Sequence, residues 1–241
     1  MTDLHTPLIV VLISADAEWQ VVRSLFPHIE PEVSPLGQWF FMTQPEKSSA
    51  VRVIFFHGGW GKIAAAASAQ YVISRWSPNA LVNLGTCGGF AGETERGAII
   101  LAERTVVYDI YELMGDPDAA VKHYSTDIDL SWIVEDMPVT VQRDVLMSAD
   151  RDLDNADITR LRHKYGARAA DWESGAIAFV AARNKTRCLI LRGVTDLVGE
   201  GGGEAYGHGE DFWHASTRDV MTDLLLLFNK WVIGVVEAAE R

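Results

Sequence analysis

The sequence predicts an α/β protein in which one β-sheet is covered by helices, and two observations carry that reading. Short, β-branched apolar runs of strand length alternate with longer helical patterns. No linker, internal repeat or low-complexity tract interrupts the alternation over 241 residues, so the chain reads as one domain spanning residues 1–241. A hydrophobic content of 48% supplies ample material for the core.

In chain order, Leu8 to Ile13 is an unbroken apolar run of strand length, and Ala17 to Phe26 follows as a helix stopped by Pro27. Val51 to Phe56 is the next expected strand. Lys62 to Trp76, rich in alanine, is a helix halted at Ser77 and Pro78. Ala80 to Leu84, Ala98 to Ala102, Thr105 to Ile110 and Cys188 to Arg192 complete the strands. Asn155 to Lys164, Trp172 to Arg183 and a long C-terminal segment from about Asp211 complete the helices. The glycine-rich stretch Gly199 to Gly209 suits either a lid or a plain connection.

A net charge of −12 without any Lys/Arg cluster opposes binding to nucleic acid and points to a small-molecule partner. Leu224 to Val236 is broken by Asn229 and Lys230 and is shorter than the roughly 18 residues a membrane span needs, so it is expected to be a buried helix. The start of the chain lacks the basic lead and cleavage site of a secretory signal, and the mature chain is expected to begin near Met1. Cys87 and Cys188 have neither metal-site nor disulfide spacing. The expectation is a cytoplasmic protein without metal or cofactor.

Four polar segments fall at strand ends or helix starts, where open α/β sheets build ligand sites. Ser14-Ala15-Asp16-Ala17-Glu18-Trp19 follows the first strand; its carboxylates could serve a site or simply cap a helix. Asn83 to Phe90 carries three glycines, at 85, 88 and 89, and reads as a strand entering a tight turn whose N–H groups could approach a ligand. Asp171-Trp172-Glu173-Ser174-Gly175-Ala176 opens an alanine-rich helix. Arg192-Gly193-Val194-Thr195-Asp196 ends an apolar strand, where an Arg and an Asp are costly unless they form an ion pair or serve chemistry.

Together with the Gly59-Trp60-Gly61-Lys62 turn, these segments resemble, in order and over nearly the whole chain, the superfamily of purine nucleoside phosphorylases, uridine phosphorylases and 5′-methylthioadenosine/S-adenosylhomocysteine nucleosidases. The resemblance implies a central, twisted, mixed β-sheet flanked by helices. It implies cleavage of the N-glycosidic bond of a purine nucleoside, with methylthioadenosine-like compounds as the first substrate guess. Asp196 takes the place of the acid that protonates the purine at N7, and Glu18 is the candidate base for water, with Arg192 orienting it. Glu173 takes the place of the ribose-holding carboxylate, and Trp172 stands where a methionine is more usual beneath the sugar. Thr86 and Gly88 fall on the glycine turn. Asp152 and Leu153 fall on the base pocket, with Asp152 where methylthioadenosine nucleosidases carry a stacking Phe, unless it turns outward to cap the next helix. Phe212 is a candidate near the 5′ substituent.

The phosphorylases' basic phosphate cradle has no counterpart here: Ser14 to Glu18 and Asn83 stand at the two expected positions, so hydrolysis is favoured over phosphorolysis. A non-catalytic homologue, as in plant storage proteins, is the alternative of another class, and the presence of Glu173, Arg192 and Asp196 argues against it. The resemblance also implies a homodimer, with Tyr108 to Met114 as the apolar interface.

Overall fold

The computed structural model describes residues 6–45, 50–133, 141–199, 202–205 and 209–239. The first strand, β1 (Leu8–Ile13), is buried at every position. Ile9, Val11 and Ile13 enter one core while Leu8, Val10 and Leu12 enter another, the period of two expected for a strand covered on both faces. On the first face lie α1 (Asp16–Leu25), through Trp19, Val21 and Val22, and α6 (Glu210–Ala239), through Val220, Met221 and Leu224. On the other lie α2 (Lys62–Trp76) and α5 (Ser174–Arg183), whose Ala65, Ala69, Ala178 and Ala181 keep the two helices close to the sheet. The apolar run into which Leu224 falls is buried as expected through Leu224, Leu225, Leu227 and Phe228, although Leu226 faces outward; its remaining side chains lie outside the described residues. No helix among the described residues is long and apolar enough to cross a membrane.

The sheet is mixed. On one side of β5 (Ala80–Phe90) the order is β5, β1, β4 (Ala50–His57), β3 (Gly37–Pro45), β2 (Glu32–Ser34), with β1 parallel to both neighbours and β3 antiparallel to β4. On the other side the sheet closes on itself. β5 pairs with β10 (Cys188–Gly199), β10 with β6 (Ile99–Val107), β6 with β8 (Gln142–Ser148), β8 with β9 (Ala169–Asp171), and β9 returns to β5. β7 (Thr126–Asp127) and β11 (Gly202–Gly203) are short edge additions to β6 and β10. Helices α3 (Pro117–His123) and α4 (Asn155–Tyr165) pack with a third core that contains Phe90, Tyr108, Met147 and Leu161.

Three expectations need correction. The glycine segment after Asn83 is no turn: β5 runs straight through it to Phe90, because its backbone pairs with β10 from Leu81 to Phe90. The strands expected at Ala98 to Ala102 and Thr105 to Ile110 are one strand, β6, which a bulge between Ala102 and Arg104 carries past the charged Glu103 and Arg104. Helix α5 begins at Ser174 rather than Trp172, since the Asp171 carboxylate accepts from the Ser174 N–H at 3.1 Å and from its hydroxyl. The glycine-rich stretch from Gly199 to Gly209 lies partly outside the described residues.

Candidate active site

β5 and β10 pass from the open sheet into the closed ring side by side, and the candidate site lies beside the stretch where both do so. A second bulge places it: Val194 faces Cys87 and Asp196 faces Gly88, leaving Thr195 without a partner position and re-aiming Asp196. A cavity of about 740 Å³ opens there, within the size range of small-molecule sites. Of the residues named from the sequence, Glu18, Thr86, Gly88, Asp152, Leu153, Trp172, Glu173 and Asp196 all line it.

Glu18 sits in the first turn of α1, 2% exposed. Its Oε2 accepts from the Ala15 N–H at 3.1 Å, and its Oε1 accepts from the Thr86 N–H at 2.7 Å and the Thr86 hydroxyl at 2.9 Å. One oxygen of this carboxylate therefore closes the helix start, and the other is fixed against β5. Asp16, two residues earlier, is exposed at the rim and lies 3.2 Å from His57 Nε2.

Arg192 is wholly buried and does not line the cavity. Its Nε lies 2.7 Å from Asp171 Oδ2, and its Nη2 donates to Asn83 Oδ1 at 2.8 Å and lies 3.5 Å from Glu173 Oε2. Glu18 Oε1 is 4.0 Å from Nη1, which donates to no acceptor among the described residues. Arg192 thus stands within ion-pair reach of Glu18, which Thr86 holds more closely, and makes its own shortest charged contact with Asp171. The guanidinium can lie so close to β5 only because residue 85 is glycine; a Cβ there would sit 1.7 Å from Nη1. Arg192→Met is expected to cost about 3–5 kcal/mol, the usual scale for leaving buried charges unpaired, and urea unfolding measures it.

Glu173 is buried, and its Oε1 accepts from the Gly61 N–H at 3.0 Å, which ties α5 to the turn that opens α2. Burial, helped by the nearby Asp171 and Glu18, pushes its carboxyl up to about 8 against the pull of Arg192. Three carboxylates share one guanidinium in this cluster, and the excess negative charge favours the protonated form of Glu173.

Asp196 is 7% exposed. Burial raises its carboxyl above the ordinary range, Glu204 and Asp152 add to the rise, and hydrogen bonds from the Thr195 hydroxyl, at 2.9 Å, and the Ala205 N–H oppose it. Among the described residues it has no cationic partner, so the ion-pair account of an Arg and an Asp leaving one strand applies to Arg192 alone. Asp152 does not cap α4; Asp154 does, accepting from the Ala156 N–H at 2.9 Å, and Asp152 faces the cavity.

Phe212 does not line the cavity. Its ring lies 5.5 Å from the Arg96 guanidinium, and the next residues along α6, Trp213 and His214, form the wall instead. Trp60, named from the sequence only as part of a turn and given no role in the site, is a lining residue: 61% exposed, it meets the Trp172 ring edge-on at 5.4 Å. The signal was an aromatic between two glycines, whose positive φ values of 78° and 83° hold the turn that presents it. Asp16, Glu18, Asp152, Asp171, Glu173 and Asp196 line the cavity, and no Lys or Arg does so among the described residues.

Comparisons with known proteins identify the family and the fold. The sequence model of the phosphorylase superfamily matches residues 9–228. A 5′-methylthioadenosine/S-adenosylhomocysteine nucleosidase of Oceanobacillus iheyensis is 25% identical over 197 residues, 77% of this chain and 84% of that one. The crystal structure of the nucleosidase of that name from Helicobacter pylori, with butyl-thio-DADMe-Immucillin-A, superimposes with a TM-score of 0.72 at 18% identity, over 93% of this chain and 99% of that one. The native structure of futalosine hydrolase of the same species gives a TM-score of 0.72 at 17% identity, covering 93% and 98%.

Proposed function

The chain belongs to the phosphorylase superfamily, and from that premise we propose that it hydrolyses the N-glycosidic bond of a purine nucleoside, releasing free base and sugar. One observation carries the reading: the cavity offers Glu18, Glu173 and Asp196 to a ligand, and among the described residues no lysine or arginine lines it to hold phosphate. Similarity to 5′-methylthioadenosine/S-adenosylhomocysteine nucleosidases supports the choice of base and sugar.

Cleaving the C1′–N9 bond leaves positive charge on the ribose and negative charge on the purine. Asp196, whose carboxyl burial raises above the ordinary range, donates a proton to N7 and makes the purine a neutral leaving group. Glu18, held by Thr86, accepts a proton from the water that attacks C1′. Glu173 accepts from the ribose hydroxyls. Trp172 stacks beneath the sugar and Trp60 supports it edge-on. Arg192 is a positioning residue, fixing Asp171 and Glu173. Asp152 and Leu153 flank the base, and Asp152 accepts from purine N–H groups in place of a stacking ring.

The assembly we propose is a homodimer. Tyr111, Leu113 and Met114 are 83%, 78% and 99% exposed, an apolar surface that a second copy would cover. Light scattering that finds a fully active monomer removes this part of the reading. Buried, unpaired Cys87 and Cys188 fit a reducing cytoplasm. The activity itself is tested by chromatography of 5′-methylthioadenosine incubated with the protein. Adenine release supports the reading, and its absence from this and every other purine nucleoside tried overturns it.

A further inference from the structure

Helix α2 starts against the usual preferences. Its first turn contains no acidic residue, Gly61 has no side chain to cap it, and its first residue is Lys62, whose charge opposes the helix dipole. Its cap comes from distant segments. Asp150, in the loop between β8 and α4, accepts from the Lys62 N–H through Oδ1 at 2.7 Å, and Glu173 accepts from the Gly61 N–H at 3.0 Å. The lysine side chain joins the same cluster. Lys62 Nζ pairs with Asp109 Oδ1, just past β6, and lies 3.8 Å from Asp150 Oδ2, while the Asp150 N–H donates to Asp109 Oδ2 at 3.0 Å. Lys62 and Asp109 are half-buried, and both oxygens of Asp109 are in use, so this pair is better fixed than one on the open surface.

Lys62, Asp109 and Asp150 do not line the main cavity, but their neighbours in sequence do. Trp60 lies just before Lys62, and Asp152 and Leu153 lie just after Asp150. The cluster joins the loop that carries Asp152 and Leu153 to the turn that carries Trp60, and the Gly61 N–H ties Glu173 to the same turn. On the proposed hydrolase reading, on which this inference rests, that loop faces the base while Trp60, Trp172 and Glu173 face the sugar. We propose that Lys62 is a positioning residue for nucleoside binding: by pairing with Asp109 and Asp150 it fixes the spacing between the base wall and the sugar wall. Glu18 and Asp196 are held separately, by Thr86 and by Thr195 and the Ala205 N–H. Loss of the lysine charge should loosen binding more than it slows the chemistry.

Steady-state kinetics on 5′-methylthioadenosine compare the wild type with Lys62→Met, which keeps an apolar stem and removes the charge. KM is expected to rise roughly tenfold, the low end of the scale for a hydrogen bond to a charged group, with kcat changed by less than about threefold. Asp109→Asn, which leaves one acceptor oxygen where two are in use, should raise KM in the same way, and it decides the matter if Lys62→Met does not fold. A folded variant that melts lower but keeps the wild-type KM overturns the proposal, because a tie that serves stability alone leaves binding untouched. A loss confined to kcat overturns it as well. If the wild type releases base from no purine nucleoside, the hydrolase reading falls, and amide hydrogen exchange still decides the role of Lys62. Faster exchange of the Asp150 N–H in Lys62→Met than in the wild type supports it, and an unchanged rate overturns it.

Discussion

Glu18→Gln is expected to lower kcat by about two to four orders of magnitude, the usual span for a positioned proton acceptor, while ligand affinity changes little. The amide keeps the shape of the side chain, and its oxygen can still accept from Thr86, so the local hydrogen bonds survive in part. What it cannot do is take a proton from water. Equilibrium binding of a nucleoside to the mutant, measured beside its single-turnover rate, separates the two effects. Wild-type turnover in Glu18→Gln would exclude Glu18 as the base and pass the role to the exposed Asp16 at the rim.

Asp196→Asn should be of similar severity, a fall of about two to four orders of magnitude in kcat, because the amide bonds to N7 without a transferable proton. Its effect on stability should be small, since no described cation depends on this carboxylate. Buried Arg192, with its partners at Asp171 and Glu173, is where stability resides. The pH profile carries the same signature. Burial lifts the Asp196 carboxyl, so the protonated, competent form persists above the ordinary carboxylate range and is lost as pH rises through the lifted value. The wild type should therefore lose kcat on that alkaline limb, and Asp196→Asn should lack the limb. A mutant that melts much lower yet turns over at the wild-type rate would exclude Asp196 as the acid.

The first strand, the first two helices and the C-terminal helix were legible because apolar periodicity and proline stops act locally. The closed ring was not. β8 has only three consecutive apolar residues, Val145, Leu146 and Met147, behind a charged start, and β9 is three residues long, so both are strands by virtue of their neighbours. The glycines of β5 look like a turn in isolation; β10 alongside makes them a strand, and Arg192 explains one of them. The candidate residues on β5, β10 and the starts of α1 and α5 could be named because their motifs follow one another in the order of the family they resemble. Phe212 could not be distinguished from Trp213 by sequence, since a shift of one position on a helix turns a side chain by about 100°. The counter-ions of Arg192 come from segments far apart in sequence, and only folding assigns Asp171 the shortest contact.

The central claim is that water, and no phosphate, attacks the sugar. It is tested most directly by following 5′-methylthioadenosine cleavage in phosphate-free buffer and in buffer with added phosphate, and identifying the sugar by mass. A cavity lined by carboxylates, with no Lys or Arg among the described lining residues, should give the same rate in both, with free 5-methylthioribose as the sugar product. A reaction that requires phosphate and yields 5-methylthioribose 1-phosphate would contradict it.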